Sequence, residues 1–139
     1  MNAKDVASYI IGSLPTDNLK LQKLLYYCQA ISFFTSDKEL FIDEVEAWQY
    51  GPVVPEVYRE YKSNGFDVIQ PTNKIINISD SEREIIDLTL SYYGEMSGLE
   101  LMRKTHKETP WLNNYSVGES KIIPKEDIKK FAKKTYELD

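Results

Sequence analysis

The chain holds one histidine, His106, and one cysteine, Cys28, and these are its best candidates for nucleophilic or acid–base chemistry. His106 stands in Thr105-His106-Lys107-Glu108-Thr109-Pro110-Trp111. A catalytic pair would join it to Glu108, or to Cys28 as nucleophile. Residues two apart point to different sides of a helix, so the first pair needs a non-helical backbone, which Pro110 permits. Cys28 lies in an apolar helical run, where thiols are inert packing groups. No pattern brings nucleophile, base and orienting group together, and the chain is read as no enzyme. One His and one Cys fall short of the N and S ligands of a zinc site, and the carboxylates show no ligand spacing. The glycines at 12, 51, 65, 94, 98 and 118 are too scattered to cradle a phosphate. No metal or cofactor is expected.

Polar residues within apolar elements say more. Gln22 and Lys23 sit inside Leu21-Gln22-Lys23-Leu24-Leu25-Tyr26-Tyr27, and burying either one demands partners. In one reading both point through a gap to solvent at the helix start. In the other they join Tyr50, and His106 or Glu108, in a polar network at the ends of elements. Such a network would latch the fold, face a partner, or do both. A second distinctive block is Ala47-Trp48-Gln49-Tyr50-Gly51-Pro52-Val53, in which Gly51 and Pro52 make a hard break after two large aromatics. Those aromatics are either a core pair at a corner or a binding surface.

The elements that must position these residues are mostly helices. Ala3, Val6, Ala7, Ile10, Ile11 and Leu14 make one apolar face, ended by Pro15. Asp17 or Asn18 caps a second helix to about Phe34, apolar nearly all the way round and therefore central. Alternation through 44–50 predicts a short strand, and Ile122-Ile123 a second that pairs with it. Val54, Val57, Tyr58 and Tyr61 keep helical spacing after Pro55. Residues 66–79 read as a loop with a short extended piece. Ser79-x-x-Glu82 and Ser97-x-x-Glu100 are capping boxes opening two further helices, the second ended or kinked by Pro110. A last amphipathic helix follows Pro124. The expectation is a mainly α fold: one compact domain over 1–139, of about six helices and a two-stranded β element near 44–50 and 121–123.

The 139 residues are enough for a single core without staples. Nothing approaches the ~20 apolar residues of a membrane span, no signal peptide is visible, and a lone cysteine closes no internal disulfide, so a cytoplasmic protein is expected. The net charge is −5, and residues 37–60 alone sum to −5, whereas 121–139 sum to +2. An acidic body with arginine only at 59, 83 and 103 argues against nucleic-acid binding. It suits steering toward a basic partner, with Glu44 and Glu46 as candidate contacts.

Together the Leu21–Tyr27, Ala47–Val53 (with Val57-Tyr58) and Thr105–Trp111 blocks resemble the Panacea domain, the family of SocA-like antitoxins and phage-associated GepA-type proteins. Their order and spacing match over nearly the whole chain. The resemblance implies a bacterial or prophage antitoxin that neutralises a cognate toxin by direct contact, with a protease complex as a further partner if it acts as an adaptor. The partner-contacting or motif candidates it marks are Gln22, Lys23, Tyr26, Trp48, Tyr50, Gly51, Pro52, Tyr58, His106, Glu108 and Trp111. Some members carry an added DNA-binding domain; this chain begins almost directly with the shared domain, so autoregulation is not expected. The alternatives are a phage-encoded regulator of a host protein, built on the acidic 37–60 segment, and an enzyme using the Gln22/Lys23/Tyr50/His106 cluster.

Overall fold

A computed structural model describes residues 1–137. There are seven α-helices among the described residues, one of them surrounded by others: α1 (Ala3–Ser13), α2 (Asn18–Ser36), α3 (Pro55–Tyr61), α4 (Asp80–Tyr93), α5 (Gly98–Thr105), α6 (Thr109–Leu112) and α7 (Lys125–Thr135). The central one is α2. Asp17 caps it by accepting from the Lys20 N–H, and every residue from Leu21 to Phe33 is buried. Helices α1, α3, α4, α5 and α7 pack around it, as its all-round apolarity requires. Both capping boxes form, with Ser79 and Ser97 each exchanging hydrogen bonds with the glutamate three residues on.

The sheet has three strands, not two. Strands β1 (Val45–Trp48), β2 (Gly51–Val53) and β3 (Lys121–Ile123) are all antiparallel, in the order β2-β1-β3. Val45 faces Ile123, in the pairing the alternating pattern suggested. The unexpected strand is β2, because Gly51-Pro52 read as a break. Gln49 and Tyr50 are at negative φ and Gly51 is at +111°, the pattern of a tight turn closed by a glycine. Pro52 is tolerated because β2 lies at the sheet edge.

Two smaller corrections follow the same logic. Pro110 opens the short helix α6, since the first helical turn needs no N–H from it. Residues 66–79 form no strand; they cross the surface as loop, pinned where the Ile69 N–H donates to the Thr16 carbonyl and the Ile69 side chain is buried. Among the described residues no helix is long and apolar enough to cross a membrane.

Candidate functional site

The first turns of α2 and the β1–β2 turn meet around a pocket of about 460 Å³. Gln22 and Lys23 reach it from α2, Trp48 and Tyr50 from the hairpin, and Tyr58 from α3. Trp48 and Tyr58 pack edge to face at 5.0 Å. Tyr50 is 60% exposed and Phe66, at the outer lip, 87% exposed. The Glu46 carboxylate is held by the Trp48 indole N–H at 2.9 Å, whereas Glu44 is exposed and does not line the pocket.

The polar floor is built from α2. The Gln22 amide donates to Asn18 Oδ1 and accepts from the Val54 N–H, fixing the hairpin's exit to the helix. Lys23 is fully buried, which excludes the solvent-gap reading, and its Nζ donates to the Pro52 carbonyl at 3.0 Å. Burial without a counter-ion pulls its amine down to about 7. Gly51 explains how the chain accommodates it. A Cβ there would lie 2.7 Å from Lys23 Cε and 2.9 Å from Thr105 Oγ1, so the lysine occupies the space a side chain would fill.

Behind the hairpin, His106 stacks on Trp111 at 4.1 Å and Trp111 on Tyr115 at 4.6 Å. The Trp111 indole donates to the Trp48 carbonyl at 2.7 Å, tying α6 to β1. Burial lowers the His106 pKa; the Gln49 carbonyl raises it and the charge of Lys23 lowers it again. Its Nε2 is the one buried side-chain polar atom without a hydrogen-bond partner among the described residues.

Glu108 does not join this cluster. Its carboxylate turns into the core and accepts from both Tyr27 and Tyr26 hydroxyls, at 2.9–3.2 Å, with Lys104 Nζ 3.9 Å away. Burial pushes its pKa up to about 7 despite those donors. Cys28 is likewise buried, its thiol pushed up to about 12. The candidate dyad of His106 and Glu108 is thus split between two environments. Among the described residues no group of three or more His, Cys, Asp or Glu could hold a metal ion.

Two supporting residues escaped the sequence reading. Asn18 was considered only as a cap, yet it is buried and donates to the Tyr58 carbonyl. Gln29, completely buried, accepts from the Leu40 and Phe41 N–H groups and donates to the Phe41 carbonyl. A lone amide within the apolar run Leu24–Phe34 was the available signal.

The geometry defines a small helical domain with an aromatic-rimmed pocket over a buried polar floor. The profile of the Antitoxin SocA-like, Panacea domain family matches residues 21–112, and the chain belongs to that family. It is 29% identical over 129 residues to "Antitoxin SocA" of Caulobacter vibrioides (strain NA1000 / CB15N), an alignment covering 80% of this chain and 69% of the relative. No solved structure matches it.

Proposed function

We propose that this protein neutralises a cognate toxin by direct protein contact, and that the toxin seats on the face around Tyr50. The carrying observation is spatial. Side chains from two of the family's blocks, far apart in sequence, line one pocket whose lip presents exposed Tyr50 and Phe66. Tyrosine and tryptophan supply large contact area at low entropic loss, and anchors of this kind dominate interface energies. The acidic 37–60 segment contains the hairpin that forms this face, and its charge would steer a basic toxin toward the molecule. Catalysis has no support from the geometry, because Cys28 and Glu108 are each committed to core packing.

Co-expression with the product of an adjacent reading frame that is toxic alone tests the proposal. Tyr50→Ala is expected to abolish neutralisation, with the melting temperature unchanged because the side chain is mostly exposed. Toxin abundance read in the same cells separates blockade, which leaves it constant, from delivery to a protease, which lowers it. Full neutralisation by both Tyr50→Ala and Trp48→Ala would move the toxin to another face.

A further inference from the structure

The pocket's charge is the reverse of the protein's net charge. In a protein of net charge −5, the ionisable groups lining it, apart from tyrosines, are two lysines, Lys23 at the inner wall and Lys62 at the rim. Neither is ion-paired among the described residues, and no acid lines the pocket. The nearest acid in the hairpin, Glu46, is occupied by the Trp48 indole.

Lys23 carries the argument further. An ammonium has three N–H donors, and the one acceptor found here is the Pro52 carbonyl. Burying a cation with a single neutral acceptor is expensive, and the chain makes room for it with a glycine at positive φ. An anion would supply the acceptors that the Pro52 carbonyl alone does not. The remaining walls are mostly apolar, aromatic (Trp48, Tyr58, Phe66) and aliphatic (Leu19, Val53) with a few amides between them, so the anion must be carried on an apolar body. A volume of about 460 Å³ lies within the roughly 300–1,000 Å³ range of sites that enclose a small ligand or a short chain end.

We propose that this pocket captures the carboxyl terminus of a partner chain ending in an aromatic or large aliphatic residue. The terminal side chain lies against Trp48, Tyr58 and Phe66, and the carboxylate is held by Lys62 and Lys23. A chain end is favoured over an internal acid because it offers an apolar side chain and a carboxylate on the same carbon, matching walls and lysines that adjoin. Because Lys23 shows no surface to water, its contact requires the hairpin at Gly51 and Pro52, which packs against it, to shift outward. The proposal rests on the reading of this face as the one that meets the toxin, and it names the part of the toxin that enters.

Three small probes test it without any toxin, so its failure is distinct from a failure of the neutralisation experiment. N-acetylphenylalanine presents ring and terminal carboxylate, N-acetylphenylalanine amide the ring alone, and N-acetylglutamic acid α-amide a side-chain carboxylate alone. Binding is followed by the Trp48 indole N–H resonance of isotopically labelled full-length protein. N-acetylphenylalanine is expected to bind at least tenfold more tightly than either of the others. In Lys23→Met, which keeps the stem without the charge, its advantage over the amide should fall at least threefold. Equal binding of acid and amide by the wild-type protein would overturn the proposal whether or not the variant folds. Tighter binding of the glutamic acid derivative, or no response from any probe, would overturn it as well.

Discussion

At the scale of single residues, the buried Glu108 and Lys23 shift in opposite directions. Burial pushes Glu108 from 4.5 up to about 7, against the Tyr27 hydroxyl, Lys104 and the Tyr26 hydroxyl, which all favour the carboxylate. Between those values the folded chain holds a proton the unfolded chain has released. Stability from this group therefore falls as pH rises through that window, by about 1.4 kcal/mol per pH unit. Lys23 is lowered from 10.5 to about 7, so its contribution runs the other way and grows as pH rises from 7 toward 10.5. Both groups are at their least favourable near neutrality. Glu108→Gln should remove the acid-side slope: urea midpoints at pH 5, 6 and 7 will fall in the wild type relative to the variant. Parallel profiles would show that Glu108 is not the group responsible. The outline of this site was legible in the sequence because Lys in an apolar run is conspicuous. That Glu108 would leave His106 for two tyrosines was not, because it depends on the short helix α6 that Pro110 initiates.

At the scale of elements, the hairpin's exit and the 40–41 segment are held to α2 by side-chain amides. Gln29 alone satisfies two N–H groups and a carbonyl of Leu40 and Phe41, all away from water. Gln29→Leu would leave those groups unsatisfied in an apolar setting, at about 1–3 kcal/mol apiece where they cannot reach water. A loss of about 3–5 kcal/mol in chemical denaturation is expected. A change within about 0.5 kcal/mol would mean that the segment rehydrates freely. Helices were the easier elements to read because periodicity and capping boxes are local: Asp17, Ser79 and Ser97 each mark a start that the structure keeps. Strand β2 was hidden by the same local reasoning. A proline and a glycine at positive φ signal a break unless the strand is known to be an edge, and edge status is set by β1 and β3.

At the scale of the whole molecule, the sheet and core draw on both ends of the described chain. Strand β3 pairs with β1, while α7 covers α2: Phe131 stacks on Tyr26 at 6.2 Å, and the Tyr136 hydroxyl meets that of Tyr93. Ending the chain at residue 120 should therefore abolish cooperative unfolding instead of trimming it, with loss of near-ultraviolet circular dichroism and gain of dye binding. A sharp thermal transition in that fragment would show that α1–α6 suffice. Synthesis order gives the same arrangement a further meaning. Helix α2 emerges from the ribosome early and stays incompletely covered until α7 follows it out, so a nascent or interrupted chain displays part of its apolar surface to chaperones and proteases. The supply of working protein is thereby tied to completed translation. Any stress that stalls ribosomes within this message lowers it at once, before degradation of finished copies begins.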